Sequence, residues 1–341
     1  MTSNELDEEV LGKYAGKNVL VTGAAGFIGS HLTEALLSAG ANVTALVRYN
    51  SRGSNGLLTS LTQKASPQSL SLLRGDITDI NSVDTAVKGQ DFVFHLAALV
   101  AIPYSYEAPK SYLRTNIEGT LNVLESVRKY GTKRLVHTST SEVYGSALYV
   151  PMDETHSLQA QSPYAASKIA ADKLVESYCR SFDVPAVTVR PFNTYGPGQS
   201  PRAVIPVTIQ QALWSDEIRL GAIHPVRDMT FVGDTVRGFL YLGVKEGVES
   251  GTFNLGTGEG HSIGDIANRI RELTGRKDTI QYDPDRTRPS ASEVDRLVSD
   301  HSRITQMCGW KPSVGLDEGL QRTIDWFRLK ERPKNPGEYR K

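Results

Sequence analysis

Cysteine is scarce: Cys179 and Cys308 are the only two in 341 residues, and they match no Cys-x-x-Cys spacing. That leaves neither a disulfide framework nor a thiolate metal knuckle, so two reduced, packed thiols and no metal centre are expected. Net charge is missing too, since Lys and Arg total 38 and Asp and Glu total 38. A protein that grips many phosphates of a nucleic acid carries a basic excess, so no nucleic-acid partner is expected. Long apolar runs are absent. The most apolar stretch, Phe92 to Ile102, contains His95 and falls well below the roughly 20 residues of a membrane helix, so no membrane association is expected. The opening MTSNELDEEVLGKYAGK is acidic and has no apolar segment. No secretory leader is expected from it, and a cytoplasmic location follows as an expectation.

What is present is ordinary globular composition, 39% hydrophobic and 22% charged. The length exceeds one core of about 150 residues and is short for three. Six short apolar runs read as strands: 17–23, 41–47, 70–76, 91–97, 133–139 and 185–190. Helical patterns lie between them, notably Phe27 to Leu36, Tyr112 to Lys129 and Pro163 to Phe182. Apolar strands without alternation are buried on both faces, and strand–helix–strand repetition predicts a parallel sheet. The expected fold class is α/β, a Rossmann-like doubly wound parallel sheet with a smaller C-terminal α/β substrate lobe. Residues 1–191 form the expected dinucleotide-binding domain. Residues 192–330 form mainly the substrate lobe, with some segments returning to the first domain, and 331–341 a polar tail. After Pro191 the rhythm breaks into a Gly/Pro-rich loop, and from Ser262 no strand–helix–strand run is readable.

The run VTGAAGFIGSHL places Gly23, Gly26 and Gly29 between a strand and a helix. Glycines there allow a tight turn and close approach of a pyrophosphate, while the helix N-terminus offers amide donors. A dinucleotide site is the reading. A fold of this kind that uses NAD usually carries an acid at the end of the second strand for the ribose hydroxyl. This strand ends in Val47, Arg48, Tyr49, Asn50, Ser51 and Arg52, with no acid. Arg48, Ser51 and Arg52 suit a 2′-phosphate, which favours NADP over NAD; solvated loop charge is the competing reading. Asp76 could accept from an adenine amino group, or Asp76 or Asp79 could cap a helix.

Tyr164 and Lys168 stand four apart in SPYAASK, on one face of a helix. An ammonium beside a phenol favours the phenolate, and a phenolate can take a proton from a sugar hydroxyl. Upstream, a strand ends in His137-Thr138-Ser139-Thr140-Ser141-Glu142. Carboxyl ends of parallel strands are where such sheets bind ligands. Backbone capping by the hydroxyls, and a solvated Glu142, are the competing readings.

With those pieces in view, the chain resembles the extended short-chain dehydrogenase/reductases, and within them the nucleotide-sugar 4,6-dehydratases. The likeness runs from Val19 to about Trp310 through VTGAAGFIGSHL, HLAALVAIPYSY, RTNIEGTLNVL, TSTSEVYG, SPYAASK, RPFNTYGPGQS, VRDMTFVGDTVRG, FNLGTG and RPSASEVDRL. It is similar to GlcNAc-nucleotide 4,6-dehydratases of the legionaminic acid type and to GDP-mannose 4,6-dehydratase, an NADP-using family. The resemblance implies an NAD(P)-dependent lyase. Hydride leaves C4, water is lost across C5–C6, and hydride returns to C6, giving a 4-keto-6-deoxy nucleotide sugar.

In that scheme Thr140 holds the C4 hydroxyl, Tyr164 takes its proton, and Lys168 tunes Tyr164 and binds the nicotinamide ribose. Glu142 removes the C5 proton. Ser141 stands where many dTDP-glucose dehydratases carry an aspartate that protonates the leaving hydroxyl, so Glu142 has to return its own proton. Asn116 matches the position that supports the Tyr–Lys helix. The implied cofactor set is completed by Phe27, Ile28, Asn50, Ile77, Leu96, Ala97 and Ala98. Asn193, Arg227 and Arg288 match contacts to the substrate diphosphate, and a homodimer is implied. Plain surface ion pairing is the alternative for either arginine. A 4-epimerase and a UDP-glucuronate-type decarboxylase are the alternative activities, and the TSEVYG run is shared with such decarboxylases.

Overall fold

The computed structural model describes residues 3–50, 54–277, 279–286 and 292–336. Seven strands form the central sheet: β1 Asn18–Thr22, β2 Asn42–Val47, β3 Leu70–Arg74, β4 Phe92–His95, β5 Arg134–Thr138, β6 Ala186–Pro191 and β7 Thr252–Leu255. Their order is β7-β6-β5-β4-β1-β2-β3, and all six pairings are parallel. The chain starts at β1 in the interior, runs outward through β2 and β3, then crosses back to β4. That reversal opens a crevice at the carboxyl ends of β1 and β4, the place where such sheets take ligands.

Each interior strand feeds two cores. Val19 and Val21 of β1 pack with helices Phe27–Ser38 and Val232–Val244 on one face, where Leu32, Leu36 and Phe239 are fully buried. Leu20 points the other way, into a core shared with helices Ile80–Val87, Gly119–Tyr130 and Pro163–Phe182. Phe94 and Val93 of β4 divide in the same manner. Successive side chains point to opposite faces and both faces are covered, so apolar and polar residues do not alternate.

The structure departs from the sequence expectation in two places. The helical pattern from Tyr112 is interrupted, because Leu113–Glu118 winds as a π-helix before Gly119–Tyr130 continues as α. A wider turn of this kind re-aims side chains and is common at functional sites. The seventh strand, β7, was not foreseen: four residues without a partner in sequence carry no period to read. Beyond Ser262 the described residues hold three α-helices, Ile263–Thr274, Ser302–Cys308 and Leu316–Arg328. Small pairings join the rest of this region. Asn193–Tyr195 runs parallel to Met229–Phe231, and Val226–Arg227 lies between His261–Ser262 and Arg296–Leu297. Among the described residues no helix is long and apolar enough to cross a membrane.

Candidate active site

β1 delivers the chain to Gly23, whose φ of +70° suits glycine. A Cβ on Gly23 would stand 2.8 Å from Ala97 N, and one on Gly29 would stand 2.3 Å from Gly23 O. Both positions therefore demand a bare backbone. Helix Phe27–Ser38 begins at Gly26 with no side-chain cap and no acid in its first turn. Its first amides and the positive end of its dipole are left for an anion. A cavity of about 540 Å³ opens above them. Gly23, Gly26, Phe27, Ile28, Gly29, Arg48, Asp76, Ile77, Leu96, Ala97, Ala98, Thr140 and Tyr164 all line it. A glycine cradle, uncapped amides and a long apolar cleft fit a dinucleotide.

Arg48 and Asp76 face each other across the rim, with Arg48 Nε 3.3 Å from the carboxylate and the arginine side chain 79% exposed. Asp76 also accepts from the amide and hydroxyl of Thr78, while Asp79 is the residue that caps helix Ile80–Val87. Asn50 does not line the cavity. It closes its own loop instead, exchanging two hydrogen bonds with the Ser54 backbone. Ser51, Arg52 and Arg288 lie outside the described residues.

β5 ends beneath the same cavity. Thr140 Oγ1 accepts from Glu142 N at 3.2 Å and starts the short 3₁₀ turn Ser141–Tyr144, which is the capping reading of its hydroxyl. Ser141 is buried and Glu142 half-buried in that turn. Helix Pro163–Phe182 starts sharply, with Ser162 Oγ accepting from Ala165 N and proline in the first turn. Tyr164 and Lys168 are both buried on its inner face. Lys168 Nζ donates to Thr138 O at 2.6 Å. Burial pulls the Lys168 pKa down to about 8, opposed by the nearby Asp172 carboxylate.

For Tyr164 the direction is opposite to that expected from a neighbouring lysine. Burial is the largest effect and raises the phenol, a hydrogen bond with Thr140 lowers it, and the Glu142 charge raises it again. Glu142, Thr140 and Tyr164 thus act on one another in one place. Asn116 sits in the π-helical turn, which turns its amide inward. It exchanges two hydrogen bonds with the Leu99 backbone and donates to Ser167 Oγ at 2.9 Å, tying the segment after β4 to helix Pro163–Phe182.

A second cavity, about 300 Å³, adjoins the first, and Thr194 lines both. Asn193 and Arg227 stand in its wall. Asn193 Oδ1 is buried without a hydrogen-bond partner, which marks a place for a ligand donor. Arg227 Nη2 lies 3.4 Å from Glu293 Oε1. The adjacent Asp228 fixes this arginine's backbone: it is fully buried and accepts from Thr257, Gly258 and Ser299 amides. Arg202, Arg286 and Glu293 complete the polar lining and were not foreseen. Glu293 lies inside the quoted motif RPSASEVDRL and Arg202 two residues past RPFNTYGPGQS, so position relative to a motif was their only signal. Thr115, Phe192 and Thr194 in the first cavity were missed for the same reason.

Comparison with known proteins follows this geometry. The family model described as GDP-mannose 4,6 dehydratase matches residues 20–323. A UDP-glucose 4-epimerase of Mycolicibacterium smegmatis is 31% identical, over 91% of this chain and 98% of its own. A UDP-N-acetyl-alpha-D-glucosaminuronate decarboxylase of Bacillus cytotoxicus is 33% identical, over 92% and 98%. The crystal structure of DesIV, a dTDP-glucose 4,6-dehydratase from Streptomyces venezuelae with NAD bound, superposes with a TM-score of 0.83 at 29% identity, over 91% of this chain and 97% of that one. Glycine turn, Tyr–Lys helix and seven-stranded parallel sheet agree with the match over nearly the whole length, and the chain belongs to the GDP-mannose 4,6-dehydratase family of extended short-chain dehydrogenase/reductases.

Proposed function

We propose that the protein is a nucleotide-sugar 4,6-dehydratase. One observation supports this over simple C4 chemistry: a carboxylate, Glu142, stands in the turn that Thr140 opens, its amide donating to Thr140 Oγ1, while Thr140 and Tyr164 line one cavity. Interconversion at C4 needs no base at C5, whereas elimination of water across C5–C6 does.

The cofactor cavity is read as an NAD(P) site, with Gly23, Gly26 and Gly29 beneath the pyrophosphate. DesIV is described with NAD bound. NADP is favoured here by Arg48 and by the missing acid after β2. A nicotinamide cofactor bound there would supply one chemistry, reversible hydride transfer, between C4 and C6 of the sugar. The protein's own groups do the rest. Thr140 gives up its turn contact to hold the C4 hydroxyl. Tyr164, as the phenolate that the Lys168 ammonium favours, takes that hydroxyl's proton and becomes the phenol. Once C4 is a ketone the C5 proton is acidic, and Glu142 removes it. Ser141 is not an acid near neutral pH, so Glu142 hands the same proton to the departing C6 hydroxyl, and C5 regains a proton from solvent as hydride reaches C6, balanced by release of the one held on Tyr164. Asn193, Arg202 and Arg227 hold the substrate diphosphate, guanidinium forks matching its oxygens.

On the same reading residues 192–330 are mainly the substrate lobe. Helices Gly119–Tyr130 and Pro163–Phe182 form a twofold interface, and light scattering at micromolar concentration should show a dimer. The activity is tested by mass analysis of products from UDP-, GDP-, CDP- and dTDP-hexoses and hexuronates. Loss of one water is expected. Unchanged mass with inverted C4, or loss of carbon dioxide, would replace the reading with epimerase or decarboxylase.

A further inference from the structure

Asp172 takes no part in the proton transfers above, yet it is a buried acid beside them, 5% exposed. Tyr164, Lys168 and Asp172 recur every four residues on one helix and so share its inner face. The Asp172 carboxylate is fully engaged. One oxygen lies 3.3 Å from His137 Nε2. The other accepts from Ser139 Oγ at 2.8 Å and from Arg190 Nε and Nη2 at 3.2 and 3.1 Å. Arg190 spends its remaining nitrogen on Tyr144: Nη1 donates to the phenol oxygen at 3.0 Å, with the guanidinium 4.9 Å from the ring centre. Tyr144 in turn donates to Asn254 Oδ1 of β7 at 2.7 Å.

The two hydroxyls that this ion pair holds have a particular place in the chain. Ser139 immediately precedes Thr140-Ser141-Glu142, and Tyr144 ends the turn that carries them. One buried Asp–Arg pair therefore anchors both ends of the reactive loop, and it is mounted on the helix that carries Tyr164 and Lys168. We propose that Asp172 and Arg190 are positioning residues that set the Thr140–Glu142 loop against Tyr164. As a device for stability alone a buried ion pair is a poor choice, because desolvation offsets most of the attraction. As a device for geometry it suits the task, since an arginine fork fixes direction as well as distance. The benefit is alignment: a misplacement of about 1 Å at a reacting group costs roughly 10²-fold in rate.

The inference rests on the proposed reading only for removal of the C4 proton by Tyr164, a step shared with epimerases and decarboxylases. The test uses cofactor-loaded enzyme and whichever hexose nucleotide of the panel above the wild type converts. Arg190→Lys keeps the charge and loses the fork. Ser139→Ala and Tyr144→Phe each release one end of the loop and leave the ion pair whole. The expected result is a fall in kcat of about tenfold or more in Arg190→Lys and severalfold in the two hydroxyl variants. The transient in nicotinamide absorbance should slow in step, with KM and bound cofactor unchanged. Wild-type kcat in Arg190→Lys, or in both hydroxyl variants, would overturn the proposal even if their melting temperatures fall, because a merely structural pair moves stability and not kcat. If Arg190→Lys does not fold, the hydroxyl variants decide. If the panel shows epimerised product without water loss, the dehydratase reading fails, while the same kcat comparison still judges the clamp.

Discussion

The two cavities that meet at Thr194 are built on opposite plans. The first takes its walls from strand ends and the turns that follow them: 23–29 after β1, 46–48 at the end of β2, 75–77 after β3 and 96–100 after β4. Its lining is mostly backbone and apolar side chain, so it selects by shape. The second gathers Asn193, Arg202, Arg227, Arg286 and Glu293 from segments separated by up to 100 residues. Its lining is charged: Arg227 lies against the Glu293 carboxylate and Arg286 against Asp283, so on the proposed reading it selects by charge. Damage to the first should come from added volume, and damage to the second from lost charge.

The largest effects belong to the junction between the two. Tyr164→Phe should abolish turnover, because no C4 ketone forms. Glu142→Gln should lower dehydrated product by about 10²–10⁴-fold while reduced nicotinamide still appears on adding substrate. Absorbance of the reduced cofactor together with product mass separates the two. Full dehydration by the Gln variant would place the C5 base elsewhere.

Lys168 sharpens the contrast through stability. Burial lowers its pKa from 10.5 to about 8 in the folded protein, so the unfolded chain binds more protons between those values. The cost is fully present below about pH 8 and is relieved as pH rises toward 10.5. At neutral pH it amounts to about 3 kcal/mol. Lys168→Met should therefore be inactive yet more stable than the cofactor-free wild type at pH 7, with the gap narrowing toward pH 10 in chemical denaturation.

The shape-against-charge comparison itself is broken or upheld by a pair. Arg227→Gln should raise KM for the nucleotide sugar by about tenfold or more, since a buried charged hydrogen bond contributes roughly 1.5–3 kcal/mol. Gly29→Ala should weaken dinucleotide binding about tenfold, because overpacking against Gly23 O costs roughly 1–3 kcal/mol. Added salt should weaken the nucleotide sugar more than the dinucleotide. The smallest effect is expected at the rim. Arg48→Ala should weaken NADP more than NAD, by about fivefold at most, since an arginine this exposed is screened by water. Equal titrations of the two cofactors would remove the NADP preference.

How much of this was legible follows the same division. The glycine turn could be read because three glycines at fixed offsets after an apolar run have few other uses. The Tyr164–Lys168 face could be read because helical period is local. Asn193 and Arg227 came from resemblance of motifs, and nothing in their spacing shows that parallel pairing of Asn193–Tyr195 with Met229–Phe231 would bring them to one wall. Asp172 was passed over because its partners, Ser139 just past β5 and Arg190 on β6, lie on other elements of the fold. The π-helical turn at Asn116 was hidden because a single inserted residue leaves the apolar pattern almost intact.

The sequence by itself determined the alternation of strand and helix, the bare backbone beneath the dinucleotide and the spacing of phenol from ammonium. Each of these is set by residues within one or two turns of each other, where covalent geometry does the placing. The tertiary structure alone decided that Arg48 faces Asp76, that one ion pair binds Ser139 and Tyr144 on either side of Thr140–Glu142, and that burial raises the Tyr164 phenol. Those outcomes depend on how closely distant segments pack and how much water they exclude, and neither quantity is written in any local stretch of the chain.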